Sequence, residues 1–504
     1  MKITIQPKKL VDAHIHLFNA RYLPLKAIIK KVFVLKPLAG PLAKLLNAIT
    51  DDFDMDNIAG ESANFTEHTP KTEVIEWLVK RTHTKLLEET GESFIEENLR
   101  NSNLFEALIE LAKQRRVEQT GGNSFSADDF LDKNSSEVSL VGENKAVILI
   151  NQMFESSFNE DIEWSFSKLG SEESEKELQK YIGHEHIPVL TFLALMLSNE
   201  AKIYEQAING YGNLKPHLLA HYMMDMKASY KKGKPYYDFH PTQSSNMMEI
   251  VKASNSKLVG FTAFNPKNEN AIQSVKKGLD MGNVGVKFYP PMGYLPYGDP
   301  NSKVRKRVSD FFKICKEDEI PVFTHCTPVG FQAKKGYGLN SDPDYWQKLL
   351  EQPSYENLRI CFGHAGGGDP NVKGHDFHGW YSDEEQWASE ECYARKVVEL
   401  CERYPNVYCE VAHLHKIMES EAHKNQFIEN LVINFSNENA TFKLKDKICF
   451  GTDWHMIGIV NAQKKYYELF LEIFQVGELK NSIDDFFANN FLRYLNMNDS
   501  NLTS

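Results

Sequence analysis

Two histidines one residue apart, His14 and His16 in "KLVDAHIHLFN", close a short apolar run near the start of the chain. Alternate side chains of a β-strand share a face, so His14 and His16 are expected on one side and Val11, Ala13 and Ile15 on the other. Such a pair is half of a metal site, and in a chain with 17 histidines it needs partners before it means anything. Candidate partners stand at the ends of other short apolar runs: Lys287 in "VGVKFYP", His325 in "PVFTHCT", His364 in "LRICFGHA" and Asp453 in "KICFGTD". Imidazoles and a carboxylate that leave one coordination position open are what a catalytic zinc needs to hold and acidify a water.

Positioning such groups requires several strand ends to converge. From about residue 215 onward, β-rich runs alternate with helical patterns. The strands read as "HLLAHYMMD", "LVGFTAFN", "VGVKFYP", "PVFTHCT", "LRICFGHA", "NVYCEVA" and "KICFGTD", with helices such as "KVRKRVSDFFKICKE" and "ARKVVELCERY" between them. With "KLVDAHIH" this makes about eight strand–helix units, which predicts a (β/α)8 TIM barrel. The active sites of such barrels lie at the C-terminal ends of the strands, where the candidates fall. Parity agrees for two of them: Val284, Val286 and Phe288 alternate with Lys287, and Ile448 and Phe450 alternate with Asp453.

Residues 21–214 read differently. Apolar positions at three- and four-residue spacing in "TEVIEWLVKRTHTKLLEE", "SNLFEALIELAKQRR", "AVILINQMFESSF" and "EKELQKYI" predict a mainly helical insertion after strand 1, interrupted by a polar loop over "TGGNSFSADDFLDKNSSEVSLVGENK". The barrel then comprises residues 1–20 and 215–504. An insertion at that point is expected to cover the barrel mouth as a lid or to make oligomer contacts.

The strings "VDAHIH", "PVFTHCTP", "ICFGHAGGG" and "ICFGTDWH", in this order and at strand ends, resemble the amidohydrolase superfamily and, within it, the amidohydrolase-2-like metal-dependent hydrolases. The C-terminal "FFANNFLRYLNM" is similar to that family's closing helix. The resemblance covers the first 20 residues and roughly 215–497, and leaves out the insertion. It implies that His14, His16, His325 and Asp453 coordinate a divalent metal, most often zinc, with manganese or iron as alternatives, and that His364 binds a second ion or the substrate. One ion is favoured over two. Asp453 and His325 are the implied catalytic groups, with Asp453 passing a proton from water to the leaving group. Lys287 is a metal ligand only if carboxylated; otherwise it anchors an anionic substrate or pairs with a carboxylate.

Lys287, Tyr289, Tyr294, His364, His413 and Trp454 are the expected substrate-binding residues. They suit a small polar or anionic organic molecule with an apolar part. Tyr289 stands where related hydrolases often carry a histidine, so no particular specificity transfers. Parity along strand 7 cannot send both Glu410 and His413 inward. His184 and His186 repeat the paired spacing without an acidic strand-end partner, while His375 and His378 lie in a glycine-rich loop and His415 follows strand 7. The expected function is hydrolysis of an amide, ester or lactone bond. A decarboxylase or hydratase of aromatic acids on the same barrel is one alternative, and a non-catalytic metal-binding or regulatory protein is another.

Bulk properties narrow the classes further. A formal net charge of −12 argues against a nucleic-acid partner. Seven cysteines without a Cys-x-x-Cys pair read as reduced, buried thiols of a cytoplasmic protein. The longest apolar stretch, residues 187–198, is too short to span a bilayer. The acid-free basic segment "RYLPLKAIIKKVFVLKPLAGPLAKLLNAI" fits helices at the site mouth better than a membrane-surface helix, because Pro24, Pro37 and Pro41 interrupt it. The expected partner is a small-molecule substrate, with no transmembrane segment and a homo-oligomer allowed.

Overall fold

The structure is a computed structural model, and it describes residues 5–32, 43, 46–47, 50–55, 192, 194–230, 233–368, 377–456, 459–460 and 462–497. Most of the expected insertion, including His184, His186 and the four helical strings read above, lies outside the described residues. So does His375.

Eight parallel strands follow one another around a sheet in sequence order: β1 Val11–Ile15, β2 Leu218–Tyr222, β3 Leu258–Phe264, β4 Gly285–Phe288, β5 Val322–His325, β6 Ile360–Gly363, β7 Val407–Glu410 and β8 Ile448–Cys449. The chain beyond β8 returns to β1. Ala13 N donates to Phe450 O at 3.1 Å, Asp453 N donates to His14 O at 2.7 Å, and Ile15 pairs with Trp454. These bonds close the sheet into the (β/α)8 TIM barrel expected from the sequence.

Among the described residues, two helices precede β2, α1 Leu25–Val32 and α2 Glu200–Asn209. The outer ring continues with α3 Ser244–Ala253, α4 Ala271–Asp280, α5 Ser302–Glu317, α6 Pro343–Leu350, α7 Tyr393–Arg403, α8 Glu421–Phe435 and α9 Gln463–Ile473, one after each of β2 to β8. The 16-residue α5 shows why these segments are helical. Val304, Val308, Phe311, Phe312 and Cys315 recur at helical spacing and are buried, while Asn301 caps the first turn by accepting from Lys303 N and Val304 N.

The barrel interior is a separate apolar cluster. Val11, Ala13, Leu218, Ala220, Tyr222, Val259, Phe261, Phe323, Cys361, Tyr408 and Cys449 fill it, joined by Phe491, Leu492, Tyr494 and Leu495 from the terminal helix α10 Asn490–Leu495. The amide of Asn490 donates to Lys445 O and Ile448 O, which ties α10 to β8. All seven cysteines are buried and unpaired.

The expected facing of β1 is corrected by this packing. Val11 and Ala13 belong to the interior cluster, whereas Ile15 packs with the outer core. The β1–β2 register shifts between Asp12 and Ile15, an irregularity that reverses the alternation part-way along the strand. Both histidines therefore join the interior side above Ala13, although simple parity from Val11 and Ala13 would turn them outward. For β4 the expected parity holds for Val286 and Phe288, which pack in the outer core, but not for Val284, which precedes the strand and packs against the interior cluster.

Candidate metal centre

Three donor atoms meet at the junction of β1 with the chain after β8. His14 Nε2 and His16 Nε2 are 3.2 Å apart, and Asp453 Oδ1 lies 3.4 Å from the first and 3.3 Å from the second. Four ligands placed tetrahedrally about 2.0–2.1 Å from zinc would be roughly 3.3–3.4 Å apart, so this triangle has the dimensions of one face of a zinc site.

The hydrogen bonds of the rings assign which nitrogens are bare. His14 Nδ1 lies 2.8 Å from Glu410 Oε1 and His16 Nδ1 lies 3.0 Å from Tyr222 O. Both acceptors are oxygens, so both Nδ1 atoms carry the proton and both Nε2 lone pairs face the triangle. Asp453 Oδ1 is buried and accepts no hydrogen bond. Three lone-pair atoms turned on one another repel unless a cation lies among them, and their chemistry fits a divalent ion.

A second pair stands beside the first. His325 Nε2 is 2.9 Å from Val329 O and 3.0 Å from Thr327 Oγ1, while His364 Nδ1 is 3.0 Å from Ala412 O. The remaining nitrogens, His325 Nδ1 and His364 Nε2, face each other at 3.1 Å. The rings of His14 and His364 are 5.1 Å apart, so the two pairs form one cluster. Burial pushes His14 and His325 well below the ordinary histidine range and lowers His364 in the same direction. The imidazoles are thus held neutral, the state in which they ligate.

Local backbone makes these placements. His364 and Asp453 have φ values of 62° and 63°, in the left-handed region that residues other than glycine rarely enter. That conformation carries His364 inward just past Gly363, where regular alternation would have turned it out. The loop after β5 wraps His325 closely: a Cβ on Gly330, whose φ is 103°, would lie 2.6 Å from His325 Nε2.

Two buried carboxylates surround the cluster. Glu410, on β7, accepts from His14 Nδ1, from His364 N at 2.8 Å and from Ala412 N at 2.5 Å, and burial pushes its carboxyl up to about 8. Asp12 accepts from Tyr211 Oη, Thr452 Oγ1, Thr452 N and His14 N, and burial raises it to about 6. Among the described residues, the groups compact enough to hold an ion are His14–His16–Asp453 and His14–His364–Glu410, the donor atoms of each lying within 4.8 Å of one another.

The other expected site residues spread around this cluster. Lys287 is 1% exposed, and its Nζ has no hydrogen-bond partner; it sits 4.4 Å from the centre of the Phe323 ring and 5.0 Å from that of Tyr222. Burial lowers its pKa to about 8, with Asp453 and Glu410 opposing the shift. Tyr289 lies with its ring 4.9 Å from that of His325 and accepts from Phe331 N. Tyr294 Oη is engaged by Phe264 O and Tyr289 N, and Trp454 Nε1 donates to Val460 O, so both polar ends are committed to backbone. Of the two residues that parity could not send inward together, Glu410 lies in the cluster. His413 stands at its edge, its ring 6.5 Å from that of His364 and 4.6 Å from that of His415. His378 pairs with Cys392 across a short bridge away from these groups.

Sequence reading passed over two buried histidines. His221 Nδ1 accepts from Leu17 N, and His455 Nδ1 donates to His16 O, so together they engage both polar groups of the His16–Leu17 peptide. The interrupting polar residue inside "HLLAHYMMD" was the available signal for the first.

Comparison with known proteins fits this picture. The Amidohydrolase family model matches residues 242–458, a span that contains Lys287, His325, His364 and Asp453. The chain is amidohydrolase-2-like over that span. No curated protein matches it. Among solved structures, a probable 2-pyrone-4,6-dicarboxylic acid hydrolase from Acinetobacter baumannii with citric acid bound is 14% identical, covers 60% of this chain and 91% of its own, and has a TM-score of 0.39. The 5-carboxyvanillate decarboxylase of Sphingomonas paucimobilis is 13% identical with a TM-score of 0.37, covering 60% and 86%. A zinc-bound amidohydrolase from Burkholderia multivorans is 7% identical with a TM-score of 0.38, covering 61% and 92%. Overlaps this loose carry no argument about the reaction.

Proposed function

We propose that this chain is a metal-dependent hydrolase cleaving an amide, ester or lactone bond of a small polar or anionic organic substrate. The observation that carries this reading is the triangle of bare donor atoms on His14, His16 and Asp453. One divalent ion is favoured, with zinc first and manganese or iron as alternatives; His325 and His364 adjoin it. When bound, such an ion supplies Lewis acidity and brings the acidity of water toward neutrality. Asp453 takes a proton from the attacking water and returns it to the leaving group. His325 and His364, fixed by Val329 O and Ala412 O, hold the substrate's polar end in place. Tyr289 lines the apolar side.

The unpartnered Nζ of Lys287 favours a substrate carrying a carboxylate, so decarboxylation of an aromatic acid is the second reading. Elemental analysis of the purified wild type and Asp453→Asn, with turnover of esters, lactones, amides and aromatic acids, tests both. About one equivalent of metal, metal-dependent hydrolysis and an inactive variant are expected. Release of carbon dioxide from the acids alone would select the second reading, and two equivalents of metal would favour carboxylated Lys287. No metal after supplementation and no turnover would overturn the assignment of an enzyme.

A further inference from the structure

Glu410, at the end of β7, accepts from three donors. Oε1 takes the Nδ1 proton of His14 and the backbone N–H of His364; Oε2 takes the N–H of Ala412, whose carbonyl in turn receives His364 Nδ1. One carboxylate therefore sets the ring of a β1 histidine, the backbone of the histidine after β6 and, through Ala412, the ring of that second histidine.

The reach from β7 to β1 crosses β8. It is open because Gly451 has no side chain: a Cβ there would lie 2.7 Å from Glu410 Oε2 and 3.2 Å from His14 Cβ. We propose that Glu410 is a positioning residue for metal binding, holding His14 in its ligating tautomer and orientation across the gap left at Gly451 and fixing His364 beside it. This rests on the metal-site reading above. Partners of this kind, one shell out from the ion, commonly control affinity by about 10- to 100-fold.

Glu410→Gln tests it. An amide offers one acceptor oxygen where the carboxylate offers two, so its NH₂ must face either Ala412 N or the His14 and His364 donors. Gly451→Ala supplies an independent perturbation that leaves the carboxylate in place and presses on it. The readout is the zinc dissociation constant of each variant, measured by competition with a chromophoric chelator, alongside the thermal melt of the metal-free form. Expected are folded metal-free forms with cooperative melts, and zinc affinity weakened about 10- to 100-fold in Glu410→Gln and in the same direction in Gly451→Ala. Wild-type affinity in Glu410→Gln would overturn the proposal. Should that variant fail to fold, wild-type affinity in Gly451→Ala would overturn it instead. A wild-type protein that binds no divalent metal would sink the underlying assignment, a different result from equal binding by wild type and variants.

Discussion

At the residue scale, what distinguishes the cluster is that each of the four imidazoles has one ring nitrogen engaged by a protein oxygen and the other left bare. Asp453 supplies the matching bare oxygen, because Oδ1 has no hydrogen-bond partner and faces two imidazole nitrogens. Asp453→Asn exchanges that anionic oxygen for a neutral amide and removes the proton acceptor. Turnover of a responsive substrate is expected to drop by at least about 100-fold, the usual scale of general acid–base contributions. Steady-state rates at saturating metal would check it, and a variant retaining more than a tenth of the wild-type rate would remove Asp453 from the chemistry. The residues carrying this prediction were readable from sequence because each ends an apolar run. Glu410 was weighed against His413 as the inward residue of strand 7, but its partners were not readable, since its reach depends on Gly451 opening a path between strands, which no spacing encodes. Tyr294 and Trp454 illustrate the converse. Their types suit a binding pocket, yet the backbone groups within reach of their polar ends come from Phe264, Tyr289 and Val460.

Strands and helices tell a similar story of local signal and long-range correction. All eight strands lie within the apolar runs that suggested them, because buried parallel strands are continuous hydrophobic segments bounded by polar helices. The facing of β1 escaped that reading, as a register shift is fixed by pairing with β2. Two elements outside the strands have separable roles. α10 plugs the interior cluster with Phe491 and Tyr494, so Phe491→Ala is expected to cost about 3–5 kcal/mol of stability while leaving metal affinity unchanged. Denaturant melts and metal titration on the same variant would show whether those two effects part. The turn after α2 acts on the site side instead. Tyr211 Oη donates to Asp12 at 2.7 Å, and Asp12 also holds His14 N and Thr452 N, on the chain leading to Asp453. Tyr211→Phe should cost about 1–3 kcal/mol, the price of one donor lost from a buried carboxylate. Comparable stability of variant and wild type in urea would show that the contact is dispensable.

For the whole molecule, the concentration of titratable groups in the barrel ties folding to pH. Burial depresses the pKa of His14, His221, His325 and His364, and lowers His455 to about 3. The unfolded chain takes protons on these five near pH 6.5, whereas the native chain does not, so they contribute stability above about pH 6.5 that is lost as the pH falls. Asp12 and Glu410 act with the opposite sign. Their native carboxyls keep a proton up to about 6 and about 8, while unfolded ones ionise near pH 4, so each withdraws stability as the pH rises through its own window. Below pH 6.5 five imidazoles oppose two carboxyls, and the net effect is loss of stability on acidification. Between about 6.5 and 8 the unfolded-state imidazoles finish losing their protons while Glu410 withdraws stability and Lys287, lowered to about 8, begins to return it, so the dependence there is shallow. Metal-free protein is therefore expected to melt at its highest temperature at about pH 7, with the steeper fall on the acid side, in a series of chelator-treated samples from pH 5 to 8. A midpoint that climbs steadily from pH 7 down to 5 would contradict the neutral state of the buried histidines. Saturating zinc should deepen the acid-side dependence, because protons and the ion compete for the same bare nitrogens and the stabilisation it brings is lost where they win.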